Sequence, residues 1–239
     1  MSASAQPTDR SLRLTLAWSV HALTASGAVV GAAALLAAAW NDLPRAAALM
    51  LIAFGIDSVD GTLARAARVH DLIPQFDGRR LDDMVDFLNY VIVPVVFMVF
   101  AGAFVSWHWA AVPILASAYG FSNAHAKTED DFFLGFPSYW NIVAIYLWLF
   151  HVSPAPATAL VVGLAVLVFV PLKYLYPSKM PFLRRSTSLV GFAWCWALGA
   201  CVLWPGWVGS FPLKEVSLLF PAYYLGLSFW LGGLYRRPD

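Results

Sequence analysis

Long apolar runs broken by short polar stretches dominate the chain. Runs over residues 16–39, 45–64, 81–104, 107–125, 138–152, 156–175, 186–204 and 214–234 each approach the roughly 20 apolar residues that cross a bilayer as a helix. The run at 138–152 is short, and 107–125 becomes polar at its end. Pro and Gly gather between runs, in "NDLP", "HVSPAPA", "YPSKMP" and "WPGWVGSFP", where helices stop and turns begin. The pattern predicts an all-α, polytopic membrane protein of about eight transmembrane helices. Residues 1–15 read as an N-terminal cytoplasmic segment and 16–239 as a single transmembrane catalytic domain. Leu12, Leu14 and Leu16 beside Arg10 and Arg13 predict a short interfacial helix leading into the first span. The start of the chain lacks the short apolar core and small-residue cleavage site of a removable signal peptide.

Composition and charge sharpen this picture. Of 239 residues, 60% are hydrophobic and 12% charged, about half the charged share of a soluble domain. With eight spans and both ends cytoplasmic, the inside Lys and Arg are 10, 13, 65, 68, 79, 80, 127, 173, 179, 184, 185, 236 and 237. Only Arg45 and Lys214 fall outside, the asymmetry that the positive-inside rule requires. A net charge of +1 without a basic tract gives no reason to expect a nucleic-acid partner. Cys195 and Cys201, six apart in one apolar run, fall on different helix faces and read as core or lipid-facing thiols.

Against this background residues 57–86, "DSVDGTLARAARVHDLIPQFDGRRLDDMVD", stand out, because they hold seven of the chain's 14 acidic residues. Asp57 and Asp60 are three apart, and Asp82 and Asp86 four apart, spacings that stack side chains on one helix face. The first pair closes the second span and the second pair opens the third. A short link sets these helices antiparallel, so the four carboxylates converge near the cytoplasmic interface. Ionised carboxylates there are costly unless cations compensate them. All-oxygen ligands suit Mg²⁺, Mn²⁺ or Ca²⁺, and several carboxylates at one place suit a two-metal site. Gly61 and Gly78 flank the acids at a helical cost of about 1 kcal/mol each relative to Ala, which implies close approach of a bulky group. Ala64 lies one turn beyond Asp60, and Arg65 is placed to meet an anion. The bland alternative is a set of helix-end acids paired with Arg65, Arg68, Arg79 and Arg80, and it weighs most for Asp71, Asp77 and Asp83.

The arrangement Asp57-x2-Asp60-Gly61-x2-Ala64-Arg65, then Gly78-x3-Asp82-x3-Asp86, resembles the signature of the CDP-alcohol phosphotransferase family. Residues 66–77, between Arg65 and Gly78, make a longer link than most members have. In this the chain is similar to the bacterial branch that condenses CDP-diacylglycerol with choline, a likeness extended by "VHALTASG", "KTEDDFFLGFPSYWN" and "PSKMPFLRRST". The resemblance implies two Mn²⁺ or Mg²⁺ ions on Asp57, Asp60, Asp82 and Asp86. It further implies that Asp86 takes the proton of the acceptor hydroxyl and that CMP is the leaving product. Thr24, Gly61, Ala64, Arg65 and Gly78 would line the nucleotide end of CDP-diacylglycerol. Thr24 has a plainer role open to it, bonding its own helix backbone. Arg184 and Arg185 would meet lipid phosphate or serve only as inside charges. The same resemblance implies the bacterial inner (cytoplasmic) membrane, membrane lipid as neighbour, and a homodimer as the oligomer to expect.

Choline, a quaternary ammonium, is best held by aromatic faces with a carboxylate nearby. The stretch 129–141 offers Asp131, Tyr139, Trp140 and Asn141 as candidates, with Asn123 and Lys127 to orient them. Aromatic side chains near an interface more often form a membrane belt than a cage. His21 and His125 read as helix-bonded or interfacial. Serine, inositol phosphate or glycerol 3-phosphate as acceptor, or CDP-choline with diacylglycerol, are alternatives within the class. A divalent-metal transporter lies outside it and lacks the internal repeat such proteins carry.

Overall fold

The structure, a computed structural model, describes residues 7–126, 128, 130, 132–176, 183–208 and 211–233, with side chains at 7–9, 184, 207 and 208 left out. Among the described residues the regular structure is helical apart from one small ribbon. Among the described residues four helices are long and apolar enough to cross a membrane: α1 (Pro7–Ala39), α2 (Leu43–Ala66), α3 (Gly78–Phe100) and α7 (Arg184–Leu203). Between and after them lie α4 (Ala111–Ser122), α5 (Trp140–Leu149), α6 (Pro154–Leu167) and α8 (Leu219–Leu231).

Every expected span thus has a helix, but α4, α5, α6 and α8 are shorter than expected. The 14 residues of α6 rise about 21 Å, against a hydrocarbon layer of about 30 Å. The reason is visible at Pro171, which lies inside the expected span 156–175. Proline cannot donate the helical hydrogen bond and disfavours helix in the residue before it, so α6 ends at Leu167. The expected N-terminal interfacial helix is not a separate element. No Pro or Gly interrupts residues 8–26, and α1 runs through them for 33 residues.

The ribbon pairs β1 (Phe132–Leu134) antiparallel with β2 (Lys173–Leu175), in the register Phe133↔Tyr174. It ties the segment after α4 to the segment after α6. Strand β2 is in turn fastened to α8. The Leu175 N–H donates to Ser228 Oγ at 3.1 Å and the Tyr224 hydroxyl donates to the Leu175 carbonyl at 2.9 Å.

Phe97, Met98, Trp140, Ile145 and Leu198 form the fully buried centre. Large apolar side chains also cover the outside: Val29, Trp40, Leu189, Phe229 and Trp230 are each at least two-thirds exposed. A surface of that kind is stable in lipid and a liability in water. Both thiols are free, Cys201 buried and Cys195 partly so.

Helices α1, α2 and α3 pack tightly at the end that carries the acids. Gly31 makes this possible, since a Cβ there would overlap the amide of Asn89 from α3. Asn89 uses the close approach to donate from Nδ2 to the Gly27 carbonyl at 3.0 Å. Small residues at such crossings are how membrane helices come together.

Candidate metal centre

The link between α2 and α3 is built by its own acids. Asp77 caps α3, accepting from the Arg80 N–H at 3.0 Å, a standard use of Asp before a helix. Asp71 lies in solvent beside His70. Asp77 is thus a cap and Asp71 a solvated acid, leaving those on the shared helix faces for the site.

Three of them meet. One carboxylate oxygen each from Asp57, Asp82 and Asp86 lie within 4.8 Å of one another, on partly buried side chains. Asp57 comes from the second half of α2, and Asp82 and Asp86 from the first turns of α3, one helical turn apart as the i, i+4 spacing requires. Asp60 turns aside from this trio. It is buried at 4% exposure, and its Oδ2 accepts from the Thr24 hydroxyl of α1 at 2.8 Å. Thr24 therefore braces an acid, with its own helix carbonyl, Val20, at the weaker distance of 3.4 Å. The second oxygen of Asp60 remains for other work, and Asp60 is near enough to Asp86 to act on it electrostatically.

Tyr90, absent from the residues selected on the sequence, completes the centre. Its hydroxyl donates to Asp57 Oδ2 at 2.5 Å, and its side chain is buried. It lies four residues beyond Asp86, so the series 82, 86, 90 was open to reading, but a tyrosine in an apolar run looks like core. The helix widens into a π-turn over Phe87–Ile92, a distortion found disproportionately at functional sites.

The remaining selected residues divide. Gly61 faces only the Arg65 side chain, and Arg65 donates to the Thr62 hydroxyl at 3.1 Å, with its head exposed. Ala64 is partly buried nearby. Gly78 makes room for a side chain of the protein itself, since a Cβ there would stand 2.6 Å from His21 Cε1. His21 is buried among Trp18 and Phe76, at ring distances of 5.8 and 4.4 Å. Arg185 is exposed at the start of α7; the side chain of Arg184 lies outside the described residues.

Among the choline candidates, Tyr139 is brought towards the acids, close enough to act electrostatically with Asp57 and Asp86. Trp140 is wholly buried and donates from Nε1 to Ser117 Oγ at 2.7 Å. Asn141 is buried, with its Oδ1 accepting from the Ile142 N–H at 2.9 Å. Trp140 thereby ties α5 to α4, whereas the Asn141 bond is local to its own helix. Asn123 caps a local turn by accepting from the His125 N–H. Lys127 and Asp131 lie outside the described residues.

Three carboxylates so close together repel one another in a poorly solvated place, and a hard divalent cation is the natural remedy for such a donor set. Apolar helices and a carboxylate cluster at one end of them define a helical membrane protein with a donor set suited to a divalent cation. Comparison with known proteins narrows this. A phosphatidylcholine synthase of Legionella pneumophila is 43% identical over 178 residues, covering 72% of this chain and 69% of its own. One of Pseudomonas aeruginosa is 34% identical over 221 residues, covering 90% and 91%. One of Borreliella burgdorferi is 35% identical over 190 residues, covering 78% and 81%. No family model matches the chain. The chain belongs to the phosphatidylcholine synthase family of CDP-alcohol phosphotransferases.

Proposed function

We propose that this protein transfers the phosphatidyl group of CDP-diacylglycerol to choline, giving phosphatidylcholine and CMP. The single observation that carries the reading is the meeting of Asp57, Asp82 and Asp86 within 4.8 Å, in a chain whose relatives bear the name phosphatidylcholine synthase.

Asp57, Asp82 and Asp86, with the second oxygen of Asp60, would hold Mn²⁺ or Mg²⁺, and two ions suit four acids. Bound there, the metal supplies positive charge against the diphosphate as its phosphoanhydride bond breaks. The protein's own residues do the rest. Thr24 and Tyr90 fix the orientation of Asp60 and Asp57 by donated hydrogen bonds. Asp86 accepts the proton of the choline hydroxyl. The choline oxygen forms its bond to the phosphorus that bears diacylglycerol, and the bridging oxygen leaves with its electron pair on CMP.

Gly61, Ala64 and Arg65 line the approach for the nucleotide, and Gly78 joins them when His21 yields its place. Arg184 and Arg185, opening α7, are placed to meet the lipid phosphate. The chain crosses the bacterial inner membrane in eight spans with both termini cytoplasmic, as the distribution of Lys and Arg favours. Residues 16–239 form one catalytic domain behind the N-terminal segment. A homodimer through membrane helices is in keeping with the lipid-facing aromatic surface.

The test is incorporation of labelled choline into lipid by purified protein with Mn²⁺ and CDP-diacylglycerol. Serine, inositol phosphate and glycerol 3-phosphate are offered in parallel. Labelled phosphatidylcholine from choline alone supports the reading; preference for another alcohol keeps the class and removes choline as acceptor.

A further inference from the structure

We propose that Tyr90, Tyr139 and Tyr224 form the aromatic wall that receives the trimethylammonium head of the acceptor. The inference rests on the proposed reaction and names residues for the acceptor end of the site. Choline is short. Its nitrogen and hydroxyl oxygen are separated by three single bonds of about 1.5 Å, so they lie roughly 4 Å apart at most. If the hydroxyl gives its proton to Asp86, the ammonium must rest almost against the carboxylates. Any aromatic face that serves it must be there too.

Tyr90 and Tyr139 meet this condition, and Tyr224 continues the row behind Tyr139. Tyr90 is bonded to Asp57 itself. Tyr139 packs on Tyr90 with ring centres 6.1 Å apart and planes at 52°, and on Tyr224 at 6.0 Å and 65°. The rings are thus tilted to one another and not stacked, with Tyr90 and Tyr224 buried behind Tyr139. Tyr139 is partly exposed and feels the charges of Asp57 and Asp86. The hydroxyls of Tyr90 and Tyr224 are anchored, on Asp57 and on the Leu175 carbonyl, so two of the rings are rigid. A quaternary ammonium has no N–H to donate, and it binds through the negative face of such rings and through nearby anions. Two other aromatic side chains of the region are already committed. Phe132 has the Lys173 ammonium 5.2 Å from its centre, and Trp140 is sealed in the core.

The experiment uses the full chain with Mn²⁺, as wild type, Tyr139→Leu and Tyr139→Phe, with Tyr224→Leu as a second probe of the wall. Initial rates are measured against choline at saturating CDP-diacylglycerol, and against CDP-diacylglycerol at saturating choline. Binding of labelled choline is measured separately by equilibrium dialysis. Mn²⁺ binding reports whether each variant is folded at its centre. Tyr139→Leu should raise the KM and Kd for choline about tenfold or more, with the KM for CDP-diacylglycerol unchanged. Tyr139→Phe, which keeps the ring, should stay within about threefold of wild type, since a cation–π contact needs the face and not the hydroxyl. An unchanged choline Kd in both leucine variants overturns the wall, as does an equal rise in both KM values. If wild type binds choline without transferring to it, the proposed reaction falls while the subsite stands. If wild type does not bind choline at all, both fall.

Discussion

The two ends of the site are made by different kinds of structure. The acids stand on α2 and α3, long helices whose residues follow the 3.6 period without interruption from Leu43 to Ala66 and from Gly78 to Asp86. The aromatic side opposite them draws Tyr139 from the start of a ten-residue helix, and Tyr224 from α8, held there by a three-residue strand. Regular helices place repeated, identical chemistry, which is what a set of metal-binding carboxylates needs. Short elements joined by turns place single side chains from distant parts of the chain. The comparison teaches that the carboxylate half of the proposed site is local in sequence, whereas the half proposed to face the organic substrate depends on tertiary packing.

The strongest way to break that division is Asp86→Asn. The amide keeps the volume but cannot accept the hydroxyl proton, and loss of a positioned base typically costs 10²–10⁴-fold. Turnover measured as labelled lipid should fall about 10³-fold. A variant retaining a tenth of wild-type activity would show that the proton goes elsewhere.

Next in size is Tyr90→Phe, which tests whether the two halves are joined. Tyr90 belongs to the aromatic side by its ring and to the acidic side by its hydroxyl on Asp57. Groups that orient metal ligands are worth 10- to 100-fold in affinity. The variant should bind Mn²⁺ at least about tenfold more weakly in a titration followed by electron paramagnetic resonance. Unchanged affinity would make Tyr90 a packing residue whose hydroxyl is incidental.

The same division explains what the sequence could reveal. Asp57, Asp82 and Asp86 were legible because helical spacing decides which side chains share a face. Asp60 was legible as part of the group but not in its orientation. Its partner Thr24 lies 36 residues earlier, on a helix whose contact with α2 is set by packing. Asp77 could be set apart from the four as a loop acid, and the structure gives it the role of a cap. On the other side, Tyr139 could be chosen only as one aromatic residue among many. Trp140, chosen with it, points into the core because its indole finds Ser117. The ribbon was illegible. Three-residue strands carry no period of their own, and β2 was absorbed into an apolar run of helical length in which only Pro171 marked a break.

A smaller effect isolates Thr24. Replacing it with Val removes the donor to a buried carboxylate without emptying the space, and a hydrogen bond to a charged group is worth about 1.5–3 kcal/mol. Thr24→Val should lower the midpoint of thermal unfolding in detergent, and Thr24→Ser should restore most of it. An unchanged midpoint in Thr24→Val would show that the hydroxyl contributes nothing, and the brace on Asp60 would be lost from the account.

The smallest effect lies at the ribbon, where the Lys173 ammonium meets Asp130 at 2.6 Å. Hydrogen bonding to Lys173, then to Thr128, holds the Asp130 carboxyl below its ordinary value. A carboxyl whose folded value is depressed adds stability above the unfolded value, near 3.9, and that stability is lost as pH falls through the depressed folded one. Asp130 is about half exposed, so solvent screening limits the pair to about 1 kcal/mol or less. Lys173→Met should therefore unfold slightly earlier than wild type at pH 7, and the gap should narrow as pH falls below about 4, the ordinary aspartate range. The cation over Phe132 is lost in this variant at every pH, so part of the gap should persist in acid. A gap that does not change with pH would mean that Lys173 stabilises the ribbon through the aromatic ring and its own packing. The ion pair would then contribute nothing measurable to the strand that holds Tyr224.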